Sequence, residues 1–120
     1  MALLVQKYGG TSVAGPERLK AVARAVIERR KQGHQLAVVV SAMGDTTDDL
    51  IALAKQVTNK PDPREMDMLL ATGEQQSIAL LAMAIKAQGG EAVSFTGSQV
   101  GIITDGRHTK ARIIAVKADR

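Results

Sequence analysis

The sequence predicts an α/β fold organised around a mainly parallel sheet, and three observations carry that expectation. An apolar lead-in from Ala2 to Val5 reads as a short buried strand that runs out at Lys7. A helical pattern then starts near Pro16, with Leu19, Val22, Ala23, Val26 and Ile27 at i, i+3, i+4, i+7 and i+8, an apolar stripe that must face a core. Leu36 to Val40 follows as a continuous apolar run, the pattern of a strand covered on both faces. Strand, helix, strand makes a βαβ unit with a right-handed crossover. Ligands of such sheets bind beyond the carboxyl ends of the strands, where Lys7 and Ser41 both lie.

Between the first strand and the first helix stands Lys7-Tyr8-Gly9-Gly10-Thr11-Ser12. Paired glycines let the backbone turn sharply and come close to a ligand. Successive N–H groups beside a helix start make a concavity for phosphate oxygens, over which a lysine adds a mobile point charge. The lysine precedes the glycines, so this is not a Walker A loop. Residue pattern alone leaves two readings open: a phosphate-binding loop, or a plain turn with Lys7 solvated at its edge.

Pro16-Glu17 opens the first helix with proline and acid where both are favoured, and Gly33 ends it. His34 reads as a solvated loop histidine. The second polar loop, Ser41 to Asp48, precedes a helix with Leu50, Ile51, Ala54 and Val57 on one side. Thr46 or Thr47 suits its N-cap and Asp48 and Asp49 suit its dipole, yet capping leaves Ser41 and Gly44 unexplained. Thr58 to Arg64, with two prolines, is a loop. A long helix from about Arg64 to Gln88 follows, with Met66, Leu69, Leu70, Leu80, Leu81 and Ile85 as its expected buried side. Gly73 to Ser77 interrupts it, and the glycine predicts a kink or a close approach. By pattern alone the adjacent Glu74 reads as a surface residue. Gly89-Gly90 closes this helix, Ala92 to Phe95, Val100 to Thr104 and Ile113 to Val116 read as short strands, and Arg107 to Arg112 holds a basic patch.

The 120 residues are enough for one domain with a real core. Aromatics make up 2%, Tyr8 and Phe95 alone, so the platforms on which bases stack are missing and nucleic acid is not an expected partner. The net charge of +4 comes from dispersed residues, with Arg29-Arg30-Lys31 a solvated helix end. Without cysteine there are neither disulfides nor thiolate metal sites, which fits a cytoplasmic location. No apolar run reads as a membrane span and no signal-peptide pattern is seen, so no membrane partner is expected.

Taken together, Lys7–Ser12, Ser41–Asp48, Thr72-Gly73-Glu74, Ser94–Gln99 and Arg107–Arg112 resemble the aspartokinases of the amino-acid kinase family, in register from end to end. That resemblance implies a three-layer α/β/α sandwich and phosphoryl transfer from ATP, as its Mg²⁺ complex, to the side-chain carboxylate of L-aspartate. It implies that Lys7 is catalytic and binds phosphate with Tyr8, Gly9, Gly10 and Ser41, and that Thr47, Asp48 and Glu74 bind the amino acid, with no protein metal ligand. It further implies that residues 1–120 form the N-terminal, amino-acid-binding portion of a kinase domain, with the nucleotide-binding half and the regulatory ACT domains outside them. The expected partners are L-aspartate, ATP, and either further copies of the chain or a complementary kinase half. Another amino-acid kinase, acting on glutamate or acetylglutamate, and a non-catalytic binding module of the same fold are the alternatives.

Overall fold

A computed structural model describes residues 3–95 and 114–117. Strand β1 (Leu3–Tyr8) leads through the glycine loop into helix α1 (Pro16–Lys31), and β2 (Gln35–Val40) follows, leading into α2 (Thr46–Val57). Helix α3 (Pro63–Ala87), β3 (Val93–Phe95) and β4 (Ile114–Lys117) complete the described elements. The four strands form one sheet in the order β1-β2-β4-β3. β1 and β2 are parallel, with Tyr8 beside Val40, and β4 runs antiparallel to both β2 and β3. Three of the four strands therefore share a direction, which agrees with the expected mainly parallel sheet.

Alternation across the pleat decides what each strand buries. Leu36, Val38 and Val40 of β2 point into the core, where Leu19, Val22, Ala23 and Val26 of α1 meet Ile78, Leu81, Ala82 and Ile85 of α3. On β1 the same face carries Leu4 and Tyr8, packed against that core. The other face is open: Leu3 is 64% exposed and Val5 68%, so β1 is not the buried strand that its apolar run predicts. The described residues thus furnish the sheet and the helices on one of its faces.

Helix α3 departs from expectation in three ways. It is continuous over 25 residues, with no interruption at Gly73. Its buried side runs through Asp67, Gly73, Glu74, Ser77, Ile78, Leu81, Ala82 and Ile85, whereas Leu80 is exposed and Met66, Leu69 and Leu70 are half-buried. By length and composition alone it is apolar enough to cross a membrane, contrary to the sequence reading, but it packs on α1, α2 and the sheet as a core helix. Asp62 caps it, accepting from Glu65 N at 3.1 Å, and Pro63 occupies its first turn.

Helix α2 starts at Thr46 with Asp45 as N-cap, not Thr46 or Thr47, and no side chain closes the cap. It buries no residue fully: Leu50, Ile51 and Ala54 are half-buried and Val57 is exposed. His34 is half-buried rather than solvated, with its Nδ1 enclosed. The expected strand Val100–Thr104 and the basic patch Arg107–Arg112 lie outside the described residues.

Candidate functional site

The parallel pairing of β1 and β2 ends both strands at the same level, so the two loops that leave them run side by side. They are tied by two backbone hydrogen bonds. Ser41 N donates to the Tyr8 carbonyl at 3.1 Å, and Gly44 N donates to the Gly10 carbonyl at 3.0 Å. Within the first loop Ser12 N donates to the Gly9 carbonyl at 3.1 Å, forming the turn. The predicted phosphate group of Lys7, Tyr8, Gly9, Gly10 and Ser41 is therefore gathered at one end of the sheet.

The two glycines differ in what they do. A Cβ on Gly10 would lie 3.0 Å from the Ala42 carbonyl oxygen, so Gly10 is demanded by the close approach of the two loops. A Cβ on Gly9 would meet nothing within 4 Å, and its φ is not positive, so neither packing nor conformation requires a glycine there. Gly9 instead leaves open backbone beside Lys7, which is exposed on the open face of the sheet, opposite Val39. Tyr8 points the other way, into the core side, and its hydroxyl donates to Gln6 Oε1 at 3.3 Å.

Helix α3 reaches this end of the sheet through Gly73. A Cβ there would stand 3.1 Å from both Ala42 Cβ and Thr46 Cγ2, so the helix presses directly on the second loop and on the start of α2. Glu74 is next along the helix and only 6% exposed, not the surface residue that pattern alone predicts. Thr47 is half-buried and Asp48 exposed, both in the first turn of α2. The structure thus joins the two loops directly, and brings the helix carrying Glu74 against the second of them.

Two residues escaped the sequence reading. The Arg18 guanidinium donates to the Thr11 carbonyl, adding a second positive charge at the glycine loop. Nothing local signals a contact made seven residues back across a loop. Asp67 is buried and lies two turns before Glu74 on the same stripe of α3. That spacing of seven was the available signal, hidden because carboxylates are read as solvent-facing. Among the described residues no group of three or more His, Cys, Asp or Glu is placed to hold a metal ion. A cavity of about 540 Å³ lies between the start of α1, the second loop and α3, lined by Leu19, Met43, Leu80 and Ala84 among others. It shares Met43, Gly44, Asp45 and Thr46 with the second loop, while none of Lys7, Ser41, Thr47 or Glu74 lines it.

Comparisons with known proteins converge on one family. Residues 2–119 match the Amino acid kinase family. The whole chain is 60% identical to an aspartokinase of Mycolicibacterium smegmatis and 56% identical to one of Geobacillus stearothermophilus. It spans 28% and 30% of their respective lengths, less than a third of these curated relatives. The crystal structure of an aspartate kinase from Synechocystis superposes on it with a TM-score of 0.78 at 54% identity, over 81% of this chain and 17% of that one.

Proposed function

We propose, since the chain belongs to the amino acid kinase family, that it forms the N-terminal, amino-acid-binding portion of an aspartate kinase. The observation that carries this reading is the pair of loops tied together at the carboxyl ends of β1 and β2, with Lys7 and the open Gly9 on one and Ser41 on the other. Relatives named aspartokinase, at 56% and 60% identity over the full chain, support the choice of amino acid.

In the proposed reaction a side-chain carboxylate oxygen of L-aspartate bonds to the γ-phosphorus of ATP. The bond from that phosphorus to the bridging oxygen breaks, and the products are 4-phospho-L-aspartate and ADP. The attacking carboxylate is already ionised, so the step requires no general base, and catalysis is positioning and charge stabilisation. Lys7 supplies positive charge to the transferring group, with the amides of Gly9 and Gly10, Tyr8 and Ser41 beside it. Thr47 and Asp48 lie against the amino acid, and Glu74 pairs with its α-ammonium. Mg²⁺, brought by ATP, would supply neutralisation of phosphate charge. Such an enzyme serves amino-acid biosynthesis in the cytoplasm, toward lysine, threonine and methionine.

The test is a chimera in which this chain replaces the 28% of the Mycolicibacterium smegmatis aspartokinase that it matches. A hydroxamate assay should detect acyl phosphate with L-aspartate and far less with L-glutamate. Absence of acyl phosphate, or a preference for glutamate, overturns the reading.

A further inference from the structure

We infer that Gly73 is a positioning residue: by lacking a side chain it lets α3 close on the second loop, and so sets where Glu74 stands relative to the glycine loop. The inference rests on the aspartate kinase reading and assigns a role to a residue that has no side chain with which to hold a substrate.

Gly73 lies inside a continuous helix, where glycine is disfavoured relative to alanine. Its φ is not in the left-handed region, so backbone conformation does not demand it. Space does. A Cβ would stand 3.1 Å from Ala42 Cβ, 3.1 Å from Thr46 Cγ2 and 3.5 Å from Leu50 Cδ1. Ala42 is buried, and its backbone runs close over Gly10, a Cβ on which would come within 3.0 Å of the Ala42 carbonyl oxygen. Gly10, Ala42 and Gly73 therefore form a stack of three small residues, one each from the first loop, the second loop and α3. Hydrogen bonds fix the first two layers to each other, through Gly44 N to the Gly10 carbonyl and Ser41 N to the Tyr8 carbonyl. The contact at Gly73 sets the distance to the third. Glu74 follows one residue on, about 100° around the helix, and moves with it. A methyl group at position 73 requires its neighbours to give by a few tenths of an ångström; where Ala42 and Thr46 hold their places, α3 shifts instead and Glu74 shifts with it.

A purely structural glycine and a positioning one differ in what their loss disturbs. In the chimera, Gly73→Ala should raise the KM for L-aspartate tenfold or more while the KM for ATP stays within threefold. The substitutions Ala42→Gly and Thr46→Ser delete the two atoms nearest the new methyl. Added together to Gly73→Ala, they should bring the aspartate KM back to within threefold of the Ala42→Gly/Thr46→Ser protein. If Gly73→Ala does not accumulate as folded protein, Thr46→Ser/Gly73→Ala, with one of the two atoms gone, is measured in its place and should show a three- to tenfold rise. An unchanged aspartate KM, an equal rise for ATP, or failure of the second-site rescue overturns the inference. An unsubstituted chimera that forms no acyl phosphate overturns instead the function on which it rests.

Discussion

Lys7 stands exposed at the end of β1 beside a glycine with open space around it, and in the proposed reaction its ammonium would meet charge that grows only as the phosphoryl group moves. Lys7→Ala in the chimera should therefore lower kcat far more than it raises the KM for aspartate, since an interaction made in the transition state is lost. Turnover within a few-fold of the parent would remove Lys7 from the site. Glu74 is the opposite case, a buried carboxylate assigned to a ground-state ammonium. A charge-assisted hydrogen bond contributes about 1.5–3 kcal/mol, so Glu74→Gln should raise the aspartate KM about tenfold or more and leave that of ATP nearly unchanged. Equal effects on both substrates would count against it. The neighbouring glycines separate stability from binding: Gly10→Ala presses on the Ala42 carbonyl and should cost about 1–3 kcal/mol, whereas Gly9→Ala should stay within about 0.5 kcal/mol. Urea midpoints of the two variants compare them directly. Lys7, Gly9, Gly10 and Ser41 were legible as residue types at strand ends. The burial of Glu74 was not, because a carboxylate in a helix looks the same in sequence whether it faces water or a loop from elsewhere in the chain.

Helix α3 shows what periodicity reads well and where it fails. Its extent was nearly right, as was the expectation of a close approach at Gly73, since a mid-helix glycine needs a packing reason. The expected interruption was wrong because one glycine costs only about 1 kcal/mol, which contacts along a 25-residue helix offset. Leu80 was placed in the core because it is apolar, yet the buried stripe passes through Ser77, Ile78, Leu81 and Ala82 and leaves it outside. Small residues mark that stripe where α3 comes closest to its neighbours. Leu81 is fully buried, so Leu81→Ala should destabilise the folded protein by about 2–5 kcal/mol. Met83, 63% exposed two residues on, should tolerate alanine within about 0.5 kcal/mol. Equal losses at the two positions would mean that the face assigned to the core is wrong. The ion pairs Lys20–Glu17 and Arg64–Glu65 are exposed and add little to either helix.

At the scale of the molecule, the sheet presents two unlike faces. One is covered by α1 and α3; the other shows Leu3, Val5 and Lys7 along β1. A run such as Leu36–Val40 reads as two-sided in sequence, and it cannot say whether the cover of its second face belongs to the same hundred residues. The relatives matched here are more than three times as long, which gives ample chain for a second cover. Residues 1–120 expressed alone should therefore self-associate, and Leu3→Lys with Val5→Lys should shift them toward the monomer in light scattering. An unchanged association state would exonerate that face.

The strand order carries a consequence for how the chain is made. Among the described strands β3 pairs with β4 alone, and β4 lies between β2 and β3 while coming last of the four in sequence. During synthesis β1, α1 and β2 can assemble as soon as they emerge, through contacts close along the chain. Of the described strands, β3 gains its partner when Ile114–Lys117 arrives and lies between it and the β2 already made. β4 thus acts as a late clasp. A nascent chain arrested before Ile114 should hold protected amides in β1 and β2 and exchange freely in β3, whereas one arrested after β4 has emerged should protect all three.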